Sequence, residues 1–94
     1  MGNNLYRFPE AYSVDDESME WQGCKLAEEA GEVCQAIVKG TRQQVIAECV
    51  DVIQVCENIL RQCDCTEGML CDAFNAHFVY CSDRGYYVDE EALF

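Results

Sequence analysis

Apolar residues recur at helical spacing in three segments of the chain, and the first segment lies between residues 13 and 40. Its apolar residues are separated by four, three and four positions, which places them on one helix face: Leu26, Ala30, Val33 and Ile37. Ser13 or Ser18 can cap the start, because a serine hydroxyl accepts a backbone N–H of the first turn. Lys39 complements the dipole at the end, and Gly40 can take a positive φ there. We therefore predict a helix from Ser13 or Ser18 to Lys39.

A second helix is predicted directly after the first. Thr41 and Gln44 have the spacing of a capping box, in which each side chain accepts the backbone N–H of the other residue. The apolar residues that follow again share one face: Val45, Cys49, Val52, Cys56 and Leu60. The pattern ends near Gln62. Because so short a connection makes two helices antiparallel neighbours, we predict a helical hairpin.

The third segment predicts a helix from Asp64 or Thr66 to Ser82. Asp64 and Glu67 have the outline of another capping box, and Gly85 can end the helix. Strand-type alternation is sparse along the chain. We therefore predict an all-α fold, in which the hairpin and the third helix form a core of the four-helix-bundle type.

The length of the chain adds the expectation of a partner. With 94 residues, one Pro and no linker-type composition, residues 1–94 are interpreted as a single domain with an extended arm at 1–12 and a tail at 86–94. A chain of this length buries only a small core. We therefore expect a stabilising cross-link or a partner subunit to complete the core.

The charge of the chain narrows the choice of ligand. There are 18 acidic and 6 basic residues, which gives a formal net charge of −12. Such a surface repels phosphate backbones, which argues against nucleic-acid binding. A solvated acidic surface explains most of the excess, and bound cations would relieve repulsion where carboxylates cluster. No apolar run of signal-peptide or membrane-spanning type is present, so we expect a cytoplasmic protein without a membrane partner.

The eight cysteines are interpreted as reduced thiols that act as small hydrophobic side chains. A cysteine- and histidine-containing stretch covers residues 63–81. Its C-x-C pair is followed by single Cys and His residues, which is not a recognised zinc-ligand spacing. We therefore do not expect a zinc site.

Two pairs of acidic residues lie on matching flanks of the predicted hairpin. Glu29 and Glu32 are three positions apart on the first helix, as are Glu48 and Asp51 on the second. Packing the hairpin can bring the four carboxylates face to face. Like charges at close range raise one another's pKa and oppose folding, and a hard divalent cation such as Mg²⁺ relieves this repulsion. Acidic pairs are common on solvated helices, but two pairs at matching angles favour a metal site.

Two further charged residues lie beside these pairs. Glu28 points about 100° further from the apolar stripe than Glu29, toward the edge of the site or solvent. Lys25 shares the face of Glu29 and Glu32. There it can pair with the carboxylates or contact a phosphate.

The acidic motif resembles the signature of the MazG-like all-α nucleoside triphosphate pyrophosphohydrolases. Residues 28–32 read E-E-A-G-E and, after fifteen residues, 48–51 read E-C-V-D. The resemblance is strong over residues 21–60 and weaker as far as Tyr87. It implies a helical bundle that hydrolyses a nucleoside triphosphate between the α- and β-phosphates with Mg²⁺, or alternatively Mn²⁺. It also implies a homodimer or homotetramer.

The resemblance further implies roles for individual residues. By position, the metal ligands are Glu29, Glu32, Glu48 and Asp51. Glu28, or a loosely held ligand, would accept the proton of the attacking water. All five acidic residues are therefore candidate catalytic residues.

Near the end of the third helix the sequence departs from the family pattern. His77 stands where many short members carry Lys, and Cys81 stands where Asn is usual. Arg84 aligns with a family arginine and can clamp phosphate oxygens, or it can offset the dipole at the helix end. The candidate substrate-binding residues are Lys25, His77 and Arg84. Trp21, Tyr86 and Tyr87 can stack on a base, but the favoured interpretation of each is a core residue or a subunit-contact surface.

Two other functions remain open. Phosphoribosyl-ATP pyrophosphohydrolase is a related all-α enzyme of similar length, whose second motif is usually followed by a Leu-rich run with a nearby His. Residues 52–56 read V-I-Q-V-C, which fits that pattern less well. A non-catalytic helical bundle that binds metal or nucleotide is the third interpretation.

Overall fold

A computed structural model of the protein describes residues 5–11, 14 and 16–87. Over these residues the structure contains three helices and no strand. They are α1 (Met19–Lys39), α2 (Arg42–Gln62) and α3 (Glu67–Asp83). The predicted all-α fold is confirmed. None of the helices in the described part is long and apolar enough to cross a membrane.

Hydroxyl side chains set the starts of all three helices. Ser18, Thr41 and Thr66 are the N-cap residues, and each side-chain oxygen accepts the backbone N–H three residues further on. Of the two starts predicted for α1, Ser18 is observed, while Ser13 lies outside the described residues. The capping box of Thr41 and Gln44 is confirmed.

The capping box predicted for Asp64 and Glu67 is wrong, because Asp64 belongs to the end of α2. It has a φ of 55°, in the left-handed region that aspartate tolerates. Its N–H and that of the next residue donate to carbonyls of the last turn of α2, which is a Schellman-type ending. Glu67 instead accepts the N–H of Leu5 at 2.6 Å. Gly85, with a φ of 75°, ends α3 as predicted.

The turn between α1 and α2 needs glycine for space. Gly40 has a φ of −102°, which any residue can adopt, so the expected positive φ is wrong. A Cβ at this position would lie 2.8 Å from the backbone oxygen of Ala36 and 2.8 Å from Gln44 Oε1. Gln44 folds back over the turn because it accepts the N–H of Thr41 at 2.7 Å. The close approach lets α2 return directly along α1.

The chain divides into two compact units. The first comprises Tyr6–Cys65 and contains the hairpin of α1 and α2 and the part of the N-terminal arm from Tyr6 onward. The second contains Leu5 and α3 with its flanking residues. The single domain over 1–94 and the four-helix-bundle core remain predictions.

Burial in the hairpin departs from the predicted apolar stripes. Ala36, Val55, Glu57 and Asn58 are buried, whereas Ile37 in the predicted stripe of α1 is exposed. The physical reason for the buried polar residues on α2 is that the N-terminal arm lies against this helix. The arm covers a side of α2 that carries hydrogen-bonding groups rather than an apolar stripe.

Two side chains of α2, Glu57 and Arg61, hold the arm and are called the arm clamp below. The carboxylate of Glu57 accepts the backbone N–H of Arg7 at 2.8 Å and of Phe8 at 2.9 Å. Arg61 donates to the carbonyl of Phe8 at 2.6 Å, and its guanidinium lies 4.2 Å from the centroid of the Tyr6 ring. The arm is therefore held by one side chain that accepts hydrogen bonds from its backbone and one that donates to it.

Candidate metal centre

Three carboxylates from the two helices of the hairpin converge. One oxygen from each of Glu29, Glu48 and Asp51 lies within 4.8 Å of the others. Glu48 and Asp51 are neighbours on one face of α2, and Glu29 faces them from α1. The spacing of these residues predicts this juxtaposition, and the tight turn at Gly40 makes it possible.

Glu28, Glu29 and Glu32 form a second, overlapping group within 4.8 Å. Glu29 belongs to both groups. The side chain of Glu29 is 12% exposed and that of Glu28 is 59% exposed. Glu28 therefore lies at the solvent edge of the carboxylates, where the helical geometry predicts it.

The charges around Glu29 act mainly against its ionised form. Burial, and then the hydrogen bond and the charge of Glu32, raise the pKa of Glu29 above its ordinary value, while Lys25 opposes this shift. Lys25 Nζ lies 3.0 Å from Glu28 and 3.7 Å from Glu29. Its own pKa is raised, first by the hydrogen bond to Glu28. The pairing of Lys25 with carboxylates is observed, and its contact with a phosphate remains a prediction.

Glu48 provides a test of whether these residues fit a metal ion. Its Oε1 atom is buried and has no hydrogen-bond partner among the described residues. Leaving a buried polar atom unsatisfied costs about 1–3 kcal/mol, and more when the group is charged. A hard divalent cation accepts carboxylate oxygens as ligands and would satisfy this atom. The donor set therefore fits an ion such as Mg²⁺ or Mn²⁺.

We expect the pKa of Glu29 to link stability, pH and metal. Without divalent cations, the raised pKa of Glu29 stabilises the fold, and this stabilisation is complete when the pH is below the ordinary value of 4.5. It is lost as the pH rises through the raised pKa of the folded state. A metal ion binds the deprotonated carboxylate, so the rise in melting temperature caused by MgCl₂ should grow over the same interval. Melting curves against pH, with and without MgCl₂, measure both trends. The metal-free difference between the parent and Glu29→Gln should change with pH, and a constant difference would contradict the prediction.

Two pockets lie at successive levels along the hairpin. One, of about 290 Å³, is lined by Glu29 and Asp51 together with Trp21, Gln54 and Asn58. The other, of about 430 Å³, is lined by Glu32 and Glu48 together with Gln35, Lys39 and Gln44. The carboxylates therefore border two spaces of different composition.

The residues around these pockets were only partly identified from the sequence. Gln54 and Asn58 follow Asp51 by three and seven positions, and Trp21 precedes Lys25 by four. This spacing places the three residues on the same helix faces as the charged residues of the site, so it could have identified them from the sequence. The N-terminal arm also contributes, since Ala11 lines the first pocket.

His77 and Arg84 lie in the second compact unit. His77 Nε2 is 3.3 Å from Cys81 Sγ, and the guanidinium of Arg84 lies over the rings of Tyr80 and Tyr86 at 5.1 and 5.3 Å. Their roles in substrate binding remain predictions. Within the described part of the chain, no group of three Cys and His residues is arranged to hold a metal ion.

The structure is that of an all-α protein with an acidic centre between two antiparallel helices. The carboxylates of this centre suit a hard divalent cation. The family model for phosphoribosyl-ATP pyrophosphohydrolase matches residues 3–62, which include the arm, both helices of the hairpin and all five candidate acidic residues. The chain therefore belongs to this family. No curated protein and no solved structure matched the chain.

Membership in this family fixes the general chemistry. The family lies within the MazG-like all-α nucleoside triphosphate pyrophosphohydrolase superfamily, so the resemblance is confirmed at that level. The protein is an enzyme that hydrolyses an acid anhydride. Enzymes of the family generally depend on divalent metal, and the family implies a nucleotide substrate.

Proposed function

We propose that the protein hydrolyses a nucleoside triphosphate between the α- and β-phosphates and releases a nucleoside monophosphate and pyrophosphate. The observation that carries this proposal is the convergence of Glu29, Glu48 and Asp51, with one buried carboxylate oxygen that lacks a described partner. With Glu32, these residues would hold Mg²⁺ or Mn²⁺. The ion would neutralise phosphate charge and lower the pKa of the attacking water.

The neighbouring side chains supply the remaining functions in this proposal. Glu28 is exposed at the edge of the carboxylates, where its free oxygen can accept a proton from the water that attacks phosphorus. Lys25, now paired with Glu28 and Glu29, can turn to a phosphate oxygen when substrate enters. Neutralising the charges of Glu32 and Asp51 would lower the raised pKa of Glu29 toward its ordinary value.

A second candidate substrate is phosphoribosyl-ATP. The match to the family of that name over residues 3–62 favours it, and the same type of phosphoanhydride bond is cleaved. The two candidates differ at the base, which carries an additional phosphoribosyl group in phosphoribosyl-ATP. The residues that bind the base would therefore distinguish the two candidates, whereas the carboxylates would act in the same way on either.

The proposal is tested with a panel of ribo- and deoxynucleoside triphosphates and phosphoribosyl-ATP, each with Mg²⁺ or Mn²⁺. We expect equimolar pyrophosphate and monophosphate product. Orthophosphate as the first product, or no release from any triphosphate, would overturn it, and turnover of phosphoribosyl-ATP alone would select the second candidate. A non-catalytic metal-binding bundle would show a Mg²⁺-dependent rise in melting temperature without turnover.

We also expect the protein to be a homodimer or homotetramer. Apolar residues of both hairpin helices line a groove of about 280 Å³ that is open at the surface of the single chain: Ala30, Val33, Cys49, Val52 and Ile53. Ile53→Asp places a charge in this groove and should shift the mass in light scattering toward the monomer. Val38→Asp is the control, because Val38 is 83% exposed and does not line the groove. A monomeric parent at micromolar concentration would contradict the expectation.

A further inference from the structure

We propose that the pocket beside Glu29 and Asp51 binds the nucleobase, with Trp21 as the stacking surface and the paired amides of Gln54 and Asn58 as the groups that read the edge of the base. This inference rests on the proposed function, because it takes the ligand to be a nucleotide. It goes beyond that function in naming the residues that would set base preference.

The position of the pocket follows from the carboxylates. Glu29 and Asp51 form one wall, so a nucleotide with its phosphates at the metal centre has its other end within reach of this space. The volume of about 290 Å³ lies near the lower end of small-molecule sites, which is sufficient for a base. This pocket also contains Lys25 beside Trp21, whereas the neighbouring pocket at Glu32 and Glu48 contains Lys39 and no aromatic side chain. That composition suits the pyrophosphate end of the same substrate.

Trp21 supplies the flat surface that a base requires. Its side chain lines the pocket and the residue is 37% exposed, so part of the ring is accessible to a ligand. Stacking on an aromatic ring is effective for every base and therefore contributes to affinity rather than to selection. Selection must come from hydrogen bonds to the edge of the base.

Gln54 and Asn58 provide those hydrogen bonds. Gln54 Nε2 donates to Asn58 Oδ1 at 3.1 Å, and both residues line the pocket. This bond uses one atom of each amide, so one donor, Asn58 Nδ2, and one acceptor, Gln54 Oε1, take no part in it. If both amides are turned over, one donor and one acceptor are again left. A neighbouring donor and acceptor match the edge of a nucleobase.

The burial of Asn58 makes this pair selective. Asn58 is 5% exposed, and a buried amide left without a partner by the wrong base is costly. Sites built to hydrogen-bond a substrate group discriminate far more strongly than apolar pockets do. The amide pair is therefore the part of the pocket that can set base preference.

The chain contains one tryptophan, so its fluorescence reports directly on this pocket. AMP, GMP, CMP, UMP and ribose 5-phosphate are titrated into the intact protein with Mg²⁺. We expect the preferred monophosphate to quench the emission of Trp21 saturably, and ribose 5-phosphate to bind more weakly without quenching. Asn58→Leu, which removes the amide at similar size, should weaken the preferred monophosphate about tenfold and reduce the differences among bases. Affinity for ribose 5-phosphate, measured by isothermal titration calorimetry because this ligand does not quench Trp21, should stay unchanged.

Two further variants keep the test decisive. Gln54→Met alters the partly exposed member of the pair and should reduce base preference even if Asn58→Leu fails to fold. Gln43→Leu removes an exposed amide from the same helix and should leave base preference as in the parent.

Four results would overturn the inference: no quenching by any monophosphate, equal binding of all bases to the parent, unchanged preference in Gln54→Met, or a uniform loss of affinity that includes ribose 5-phosphate. The last result would show that the amides are only structural. Base-selective quenching without pyrophosphate release would support the inference and overturn the proposed function. Pyrophosphate release with unaltered base preference in the variants would support the proposed function and overturn the inference.

Discussion

Glu48→Gln should reduce the rate of pyrophosphate release by about 10²–10³-fold at saturating Mg²⁺, the loss typical of removing one preorganised electrostatic contact at a reacting centre. The substitution keeps the shape of the side chain and removes its charge. Glu48 is the informative position because its Oε1 atom is buried without a described partner and lies among the converging carboxylates. The parent and the variant are compared with the best substrate of the panel.

The control for this experiment is Glu20→Gln, which makes the same change at an exposed residue in the first turn of α1 and should retain full activity. A second readout is thermal. The rise in melting temperature caused by Mg²⁺ should be lost in Glu48→Gln, while the metal-free variant should be at least as stable as the parent because one like charge is removed. Equal turnover by the parent and Glu48→Gln would show that Glu48 has no essential role.

Glu57→Ala should lower the free energy of unfolding by about 2–4 kcal/mol, because it removes the buried carboxylate that accepts hydrogen bonds from two backbone N–H groups. This is a large part of the stability of a typical domain, about 5–15 kcal/mol. Urea unfolding followed by circular dichroism measures the change. Asp72→Ala is the control, because an exposed substitution changes stability by no more than about 0.5 kcal/mol.

Loss of the arm clamp should also affect the pocket that we propose binds the base. The arm contributes Ala11 to the pocket that contains Trp21, so a released arm opens one of its walls. We therefore expect weaker nucleotide binding in Glu57→Ala, measured by Trp21 fluorescence. Glu57→Gln keeps one acceptor oxygen and should give an intermediate loss of stability. If Glu57→Ala and the parent unfold at the same urea concentration, the arm does not depend on the clamp.

The acidic motif indicates the class of reaction but not the base of the substrate. The four carboxylates at 29, 32, 48 and 51 are the proposed ligands of the divalent cation, and the resemblance of the motif they form to that of the MazG-like pyrophosphohydrolases indicated the class of enzyme. The base and its substituents are recognised by other residues. The family match to phosphoribosyl-ATP pyrophosphohydrolase, the second choice from the sequence, therefore changes the substrate candidates without changing the proposed metal ligands.

The sequence by itself determined the elements whose causes are local. The helix caps at Ser18, Thr41 and Thr66 and the pairing of carboxylates on each helix depend on residues three or four positions apart, and such contacts form inside one helical turn. The antiparallel return of α2 also followed, since a connection as short as the one at Gly40 and Thr41 makes consecutive helices antiparallel neighbours.

The tertiary structure decided what depends on distant segments. Glu57 is buried because it binds the backbone of Arg7 and Phe8, about fifty positions away, and no periodicity in α2 reveals that partner. The pocket that we propose binds the base is likewise lined by residues from the arm and from both helices at once. Asp64 was misplaced for a related reason: a residue between two helices can end one or begin the next, and only the packed backbone shows which hydrogen bonds its N–H makes.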